Sequence, residues 1–398
     1  MKQKLKLNFM KYANILLIFI FITSCINSEE ELFIFNPQEF SENKFSLSMI
    51  AEDINYIPLD DSITIGSIYS MRINKRGIFL STKNPGILHL DINGKYVCII
   101  AHKGRGPDEY HYGMNFTVDE KNEMVFVVDR QKIKLYSLNG NFVRDISTKE
   151  YIYGTAGGIE IFNSRIFLAD YGTYGDFKFN WIFLDTLGNL IAKKYNTIQP
   201  LGSMISGRTY NFKNKLFYYN YLNDTIFTIL PDLQFKAAYL FSKGDFRWPD
   251  NLVLKSLSQG YKLFKPGCMF ETKNYIFMEY SFQDRWAILL IDKKTKKMYQ
   301  GYKEKKIGIV NYAASILNDI DGGLPSSPEH SSYFYYFDND NEYIVTFIYP
   351  FELKEHISSN EFKNSTPKYP EKKKGLERLA SSLDENDNPI LMLVKLKK

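Results

Sequence analysis

An all-β fold of six four-stranded antiparallel blades arranged in a ring is what this sequence predicts. Three observations lead there. Short apolar runs separated by polar turns dominate the chain, and long helical patterns are scarce. A Gly- or Asx-centred turn between two apolar strands recurs about every 46 residues. Both ends of the chain carry further strands that fit no other unit.

The repeat sets the blades. "LHLDINGKYVCII" places its turn at Gly94, "IKLYSLNGNFVRDI" places the next at Gly140 and "WIFLDTLGNLIAK" the third at Gly188. A comparable turn falls at Pro231–Gln234 without its Gly, and a fifth near Thr295. Gly and Asn suit such hairpins because they tolerate positive φ. A second run precedes each turn: "GIFLST", "MVFVVDR", "RIFLADY", "LFYYNYLND" and "YIFMEYS". Four strands in 40–50 residues is the period of a propeller blade. The predicted units are 65–101, 115–147, 155–195, 203–241 and 267–302.

The sixth blade draws on both ends. "NEYIVTFIYPF" (341–351) and "NPILMLVKLK" (388–397) supply C-terminal strands, and "INYIPLD" (54–60) a closing N-terminal one. Pairing the ends closes the ring and removes exposed edges. Between the two C-terminal strands, Leu376, Leu379, Ala380 and Leu383 have helical spacing, so a short helical insertion is expected there.

Residues 1–24 read as an export signal. "MKQKLKLNFMKY" is basic, "ANILLIFIFI" is a short apolar core, and "ITSC" ends at Cys25. The core is shorter than the ~20 residues that span a bilayer. The expected organisation is therefore a signal peptide (1–24), a tether (25–45), lipid-anchored as the resemblance of residues 22–25 to a lipobox implies, and a propeller (46–398). Removing the signal takes away Lys2, Lys4, Lys6 and Lys11 and no acid, leaving 46 basic against 45 acidic residues. A near-neutral balance gives no field for nucleic acid. Cys98 and Cys268 lie in apolar surroundings and read as buried free thiols, with a disulfide as the alternative in an oxidising compartment.

"Ile22-Thr23-Ser24-Cys25" resembles a bacterial lipobox, which implies lipidation at Cys25. The acids in "INSEEELF" that follow resemble the surface-export signal of Bacteroidetes lipoproteins. Residues 104–146, beginning "GRGPDEY", resemble one NHL repeat. The chain as a whole resembles the six-bladed β-propeller lipoproteins of Bacteroidetes, through "YIPLDD" (56–61), "GRGPDEY", "LNDTIFTI" (222–229), "NDIDGGLP" (318–325) and "ENDNPILMLVKLK" (385–397). The resemblance implies an outer-membrane lipoprotein, displayed on the surface or facing the periplasm, with no assigned reaction. A membrane anchor, an envelope protein or a glycan or peptide ligand, and a monomeric state are the expected associations.

"GRGPDEY" itself carries two readings. Glycines after a strand suggest a phosphate loop, but that needs a helix next, and a strand follows. The expected role is the crossing between blades, with Gly104 and Gly106 turning the chain, Pro107 stiffening it and Tyr110 wedging between blades. Candidate channel or ligand-binding residues are Arg105, Asp108, Glu109, Tyr110, Asp129, Arg130, Tyr171, Tyr174 and Arg208. The first function expected is non-catalytic binding of a ligand or partner protein. The alternative is a metal-dependent propeller lyase or hydrolase, with His102 and His111 flanking "GRGPDEY". No cofactor is expected: "DINGKY", "DGG" and "DNDNE" lack EF-hand spacing, and no His-x-His or Gly-x-Ser-x-Gly motif is present.

Overall fold

The computed structural model describes residues 32–41, 43–111, 113–152, 154, 156–171, 178–197, 207–220, 222–248, 262–302, 316–324 and 333–398. The compact body runs from Ile34 to Lys398. Residues 34–45 of the expected tether therefore belong to the folded body.

The chain enters along blade edges as β1 (Ile34–Phe35), then turns through the one-turn helix α1 (Leu47–Ile50) into β2 (Ala51–Pro58). Blade 1 comprises β3 (Ile68–Asn74), β4 (Gly77–Thr82), β5 (Gly86–Leu90) and β6 (Tyr96–His102). Blade 2 comprises β7 (Phe116–Asp119), β8 (Met124–Asp129), β9 (Lys132–Ser137) and β10 (Phe142–Ser147). Blade 3 comprises β11 (Ala156–Phe162), β12 (Arg165–Tyr171), β13 (Phe179–Leu184) and β14 (Leu190–Tyr195). Blade 4 comprises β15 (Arg208–Phe212), β16 (Lys215–Tyr219), β17 (Thr225–Ile229) and β18 (Phe235–Phe241). Blade 5 comprises β19 (Lys265–Glu271), β20 (Tyr275–Phe282), β21 (Arg285–Asp292) and β22 (Met298–Tyr302). Blade 6 begins with β23 (Phe334–Asp338) and β24 (Asn341–Ile348). It then passes through α2 (Pro350–Ser358), α3 (Asn360–Asn364) and α4 (Pro370–Ser382) to β25 (Ile390–Leu396).

All six blades are antiparallel, and the innermost strands β3, β7, β11, β15, β19 and β23 neighbour one another around the axis. The sixth blade has the order β2-β25-β24-β23, with Ala51 opposite Leu396 and Pro58 opposite Ile390, so the two ends of the chain close the ring as expected. The helical insertion is longer than its spacing suggested. The predicted helix is α4, which buries Leu376 and Ala380; α2 and α3 precede it.

The core lies between blades, where facing sheets bury their apolar sides. Phe79, Ile87 and Ile100 of blade 1 pack with Phe116, Val125 and Tyr136 of blade 2, and similar clusters join blades 2–3, 3–4 and 6–1. The periodic glycines serve this packing as well as the turn. Gly140 has φ +81°, and a Cβ there would overlap the carbonyl oxygen of Ile99 on the outer strand of blade 1. In blades 4 and 5, where the Gly is missing, Leu233 (φ +69°) and Lys296 (φ +59°) hold the same left-handed position.

The N-terminal segment is a strap. Ile34 and Phe35 pair in parallel with Leu240 and Phe241, adding a fifth strand to blade 4. Lys44 then bridges Gln300 on the edge of blade 5, and Ser46 bridges Leu317. Phe35, Phe40 and Phe45 are buried along the way.

Candidate functional site

Side chains from four inner strands or their neighbours meet on the propeller axis. Arg72 of β3 and Glu160 of β11 form an ion pair at 3.2 Å. Blade 2 lies between those two blades, so the pair spans the channel and constricts it. Glu160 also accepts from Thr209 Oγ1 at 3.0 Å, and Asn211 Nδ2 lies 3.5 Å from its other oxygen. Its carboxylate thus ties blades 1, 3 and 4 together.

Beside this bridge stands a second group. Arg208 opens β15, and its guanidinium is accessible in the channel; Nη1 lies 3.6 Å from Cys268 Sγ on β19. Sulfur is a weak acceptor, so among the described residues this contact leaves much of the guanidinium's hydrogen-bonding capacity unused. Glu279 reaches the same spot from β20, one strand further out. It does so because β19 bulges between Pro266 and Met269 and because Gly267 has no side chain: a Cβ there would lie 3.1 Å from both Cβ and O of Glu279. Glu279 accepts from the Tyr333 amide at 3.2 Å and from Cys268. Tyr219 donates its hydroxyl to the Gly267 carbonyl at 2.5 Å, which fixes the bulge.

Burial sets the protonation of this group. It pushes the Cys268 thiol up to about 11, with the neighbouring Glu279 charge adding to the shift, so the sulfur stays protonated and is a poor nucleophile at neutral pH. Burial likewise lifts Glu279 to about 7, against the lowering effect of the Tyr333 amide and Arg208. The site therefore offers an accessible guanidinium beside a neutral thiol and a carboxyl that is only half ionised. That arrangement suits an incoming anion.

Of the residues singled out from sequence, Arg208 is the one on an inner strand. "GRGPDEY" instead lies on the crossing between β6 and β7 and is tied to blade 2. Lys134 donates to the Pro107 carbonyl at 2.6 Å, Tyr136 to the Asp108 carbonyl at 2.7 Å, and the Gly106 amide to Glu109 at 2.8 Å. Lys134 and Tyr136 sit on β9, the third strand of the blade, away from the inner strands that line the axis. Tyr110 is buried in the core between blades 1 and 2, as the wedge reading expected. The glycines differ from expectation in their reason: neither Gly104 nor Gly106 has positive φ. At Gly104 a Cβ would meet the Glu109 carboxylate, so a side chain there would displace Glu109 from its bond to the Gly106 amide. Arg105 and Asp108 remain exposed on the loop.

Asp129 is buried at the end of β8 and accepts from the His111 amide at 3.1 Å; Arg130 follows it in the hairpin turn with φ +57°. These are second-strand and turn positions, so they too miss the inner strands. The Tyr171 side chain, Tyr174 and Cys25 lie outside the described residues. Cys98 and Cys268 are both free and half-buried. Among the described residues no three His, Cys, Asp or Glu side chains converge as metal ligands.

Two quoted motifs prove to be joints. Asn388 donates to the carbonyls of Asp60 and Ile63, both at 2.7 Å, and accepts from the Ile65 amide, locking blade 6 to the start of blade 1. In "NDIDGGLP", Asp321 is fully buried and accepts from Tyr56, Asn318 and the Gly323 amide. Arg72, Glu160 and Glu279 carried no local signal, because each acquires its role from partners in distant blades or across a bulge.

A protein family described as Domain of unknown function (DUF4934) matches residues 32–395. The chain belongs to this family. Its family limits coincide closely with the compact body, so the strap is part of what defines a DUF4934 chain. An exported protein of Bacteroides fragilis has the same fold: 19% identity, coverage of 92% of this chain and 100% of that one, and a TM-score of 0.63. A DUF4221 member from Bacteroides vulgatus is 14% identical over 90% of this chain and 99% of its own, with a TM-score of 0.45. No curated protein matches the chain.

Proposed function

We propose that this protein is a cell-envelope lipoprotein, anchored through Cys25 and displayed on the outer-membrane surface. Its NHL-like propeller acts as a non-catalytic binding module. The observation that carries the binding role is Arg208: an accessible guanidinium on the channel wall whose hydrogen-bond partner among the described residues is a protonated thiol. A partner protein or peptide presenting a carboxylate meets a fixed planar donor there, within walls set by four blades. Bidentate arginine–carboxylate pairing supplies both affinity and orientation.

The resemblance of "ITSC" to a lipobox and of the following acids to a surface-export signal supports the location. Palmitate labelling in cells should disappear in Cys25→Ala, and protease added to whole cells should degrade the wild-type chain. Retained label, or full protection in intact cells with digestion after lysis, would contradict anchoring or surface display respectively. For the binding role, full-length protein in detergent is titrated calorimetrically with acetylated acidic tripeptides. Saturable heat is expected, reduced at least tenfold in Arg208→Ala with an unchanged melting temperature. Equal heats for both proteins would remove Arg208 from the site.

A further inference from the structure

The end of the propeller where the first hairpin of each blade turns holds a cavity of about 1060 Å³. Its wall comes from the inner-hairpin turns of blades 3 to 6, at Asn163, Lys213, Lys273 and Asp340, and from the chain after β25. It is separate from the Arg208 group, which lies at the start of β15, whereas the cavity meets the end of that strand at Asn211 and Phe212. Asn211 also contacts Glu160, so the cavity runs up to the Arg72–Glu160 constriction.

Its chemistry has three parts. Aromatic rings line it, including Phe212, Tyr335 and a Phe337 side chain that is 50% exposed. Exposed asparagines contribute side-chain amides at Asn163, Asn211 and Asn214. The Asn163 amide also donates to the Pro231 carbonyl at 3.0 Å and the Asn211 amide to Glu160 at 3.5 Å, leaving their carbonyl oxygens and the Asn214 amide to meet a ligand. Lys213 and Lys273 add ammonium groups that form no ion pair among the described residues. The opposing acids are Asp340 and Glu342, and Glu342 is already engaged by the Lys273 amide at 2.7 Å and the Tyr335 hydroxyl at 2.9 Å. A flat apolar wall, polar groups of both senses and unpaired cations together match a sugar ring that carries an acidic group.

We propose that this cavity is a binding site for an acidic saccharide, one whose sugar units bear carboxylate or sulfate. The ring stacks on Phe337, its hydroxyls meet the asparagine amides, and the anion lies between Lys213 and Lys273. The site is independent of the channel arginine, so either can fail without the other.

The test titrates full-length protein in detergent with trigalacturonate, with a sulfated chondroitin disaccharide, and with neutral cellotriose. Saturable binding of at least one charged probe is expected, at least tenfold tighter than cellotriose and weakened by added salt. Lys213→Ala/Lys273→Ala should lower that affinity at least tenfold and Phe337→Ala about as much, while Arg208→Ala leaves it unchanged. Lys213→Gln serves as a milder second variant if the double substitution melts early. No saturable binding of either charged probe, equal affinity for cellotriose, or affinity unchanged in the lysine and Phe337 variants overturns the proposal. Loss of binding in Arg208→Ala alone would move the saccharide to the channel and equally overturn it.

Discussion

Blades 1 to 3 and blades 4 to 6 solve the same problem in different ways. In the first half each blade ends in an outer strand that no further strand covers among the described residues, and apolar side chains such as Val97, Val143 and Ile191 stand exposed on it. There the hairpin glycine is kept in every blade and presses against the blade before it. In the second half the strap runs along blades 4 and 5 and enters blade 6, and two of the glycines are replaced by Leu233 and Lys296. The repeat is regular where a blade depends on its neighbours alone. It relaxes where another segment shares the load. The channel group of Arg208, Cys268 and Glu279 lies in the relaxed half.

The comparison breaks most readily at the strap. Phe35 is fully buried against Tyr239 and Phe241, so Phe35→Ala should cost about 3–5 kcal/mol in urea unfolding. Val143→Ala on the bare edge of blade 2 should stay within about 0.5 kcal/mol. Equal losses would mean that the strap is an accessory.

The glycine difference comes next. Gly140→Val combines a left-handed φ with a backbone overlap and should cost at least about 2 kcal/mol. Lys296→Gly, at the matching turn of blade 5, removes a strained side chain that is exposed and should stabilise by roughly 0.5–1 kcal/mol. Melting curves of the pair check both signs.

A smaller effect concerns pH. Glu279 holds its proton up to about pH 7 in the folded chain, whereas an unfolded glutamate releases it near 4.5. Between those values the folded state binds more protons, so stability falls as pH rises through that window and levels off above it. In Glu279→Gln this component vanishes, and the melting-temperature difference between the two proteins should change between pH 4.5 and 7 and stay flat above 7.5. A constant difference across the range would show that Glu279 is not buried as described.

Much of the fold was legible in the sequence because a propeller repeats its signal. Five blade limits followed from the 46-residue period, and chain closure followed from leftover strands at both ends. The inner strand β23 was not read, since "FYYFD" has no turn glycine beside it to mark it as a member of the series. The strap escaped because two residues of strand and scattered Phe residues carry no period. The site was mostly illegible. Arg208 stood out as a charge at the start of an inner strand, but Arg72 and Glu160 are 88 positions apart and meet only across the ring. Glu279 reaches the channel through a bulge that no pattern announces. In "GRGPDEY" the glycines and Tyr110 serve the crossing between blades and its packing, while Arg105 and Asp108 stand exposed on that loop, off the inner strands.

Arg105 and Arg208 therefore give the most direct test, one from each half. Full-length protein is titrated with an acetylated acidic tripeptide as wild type, Arg105→Ala and Arg208→Ala, with melting recorded for each. At least a tenfold loss of affinity is expected in Arg208→Ala, none in Arg105→Ala, and stability within about 1 kcal/mol of wild type for both. Loss in Arg105→Ala with binding retained in Arg208→Ala would place the site on the inter-blade loop and contradict it.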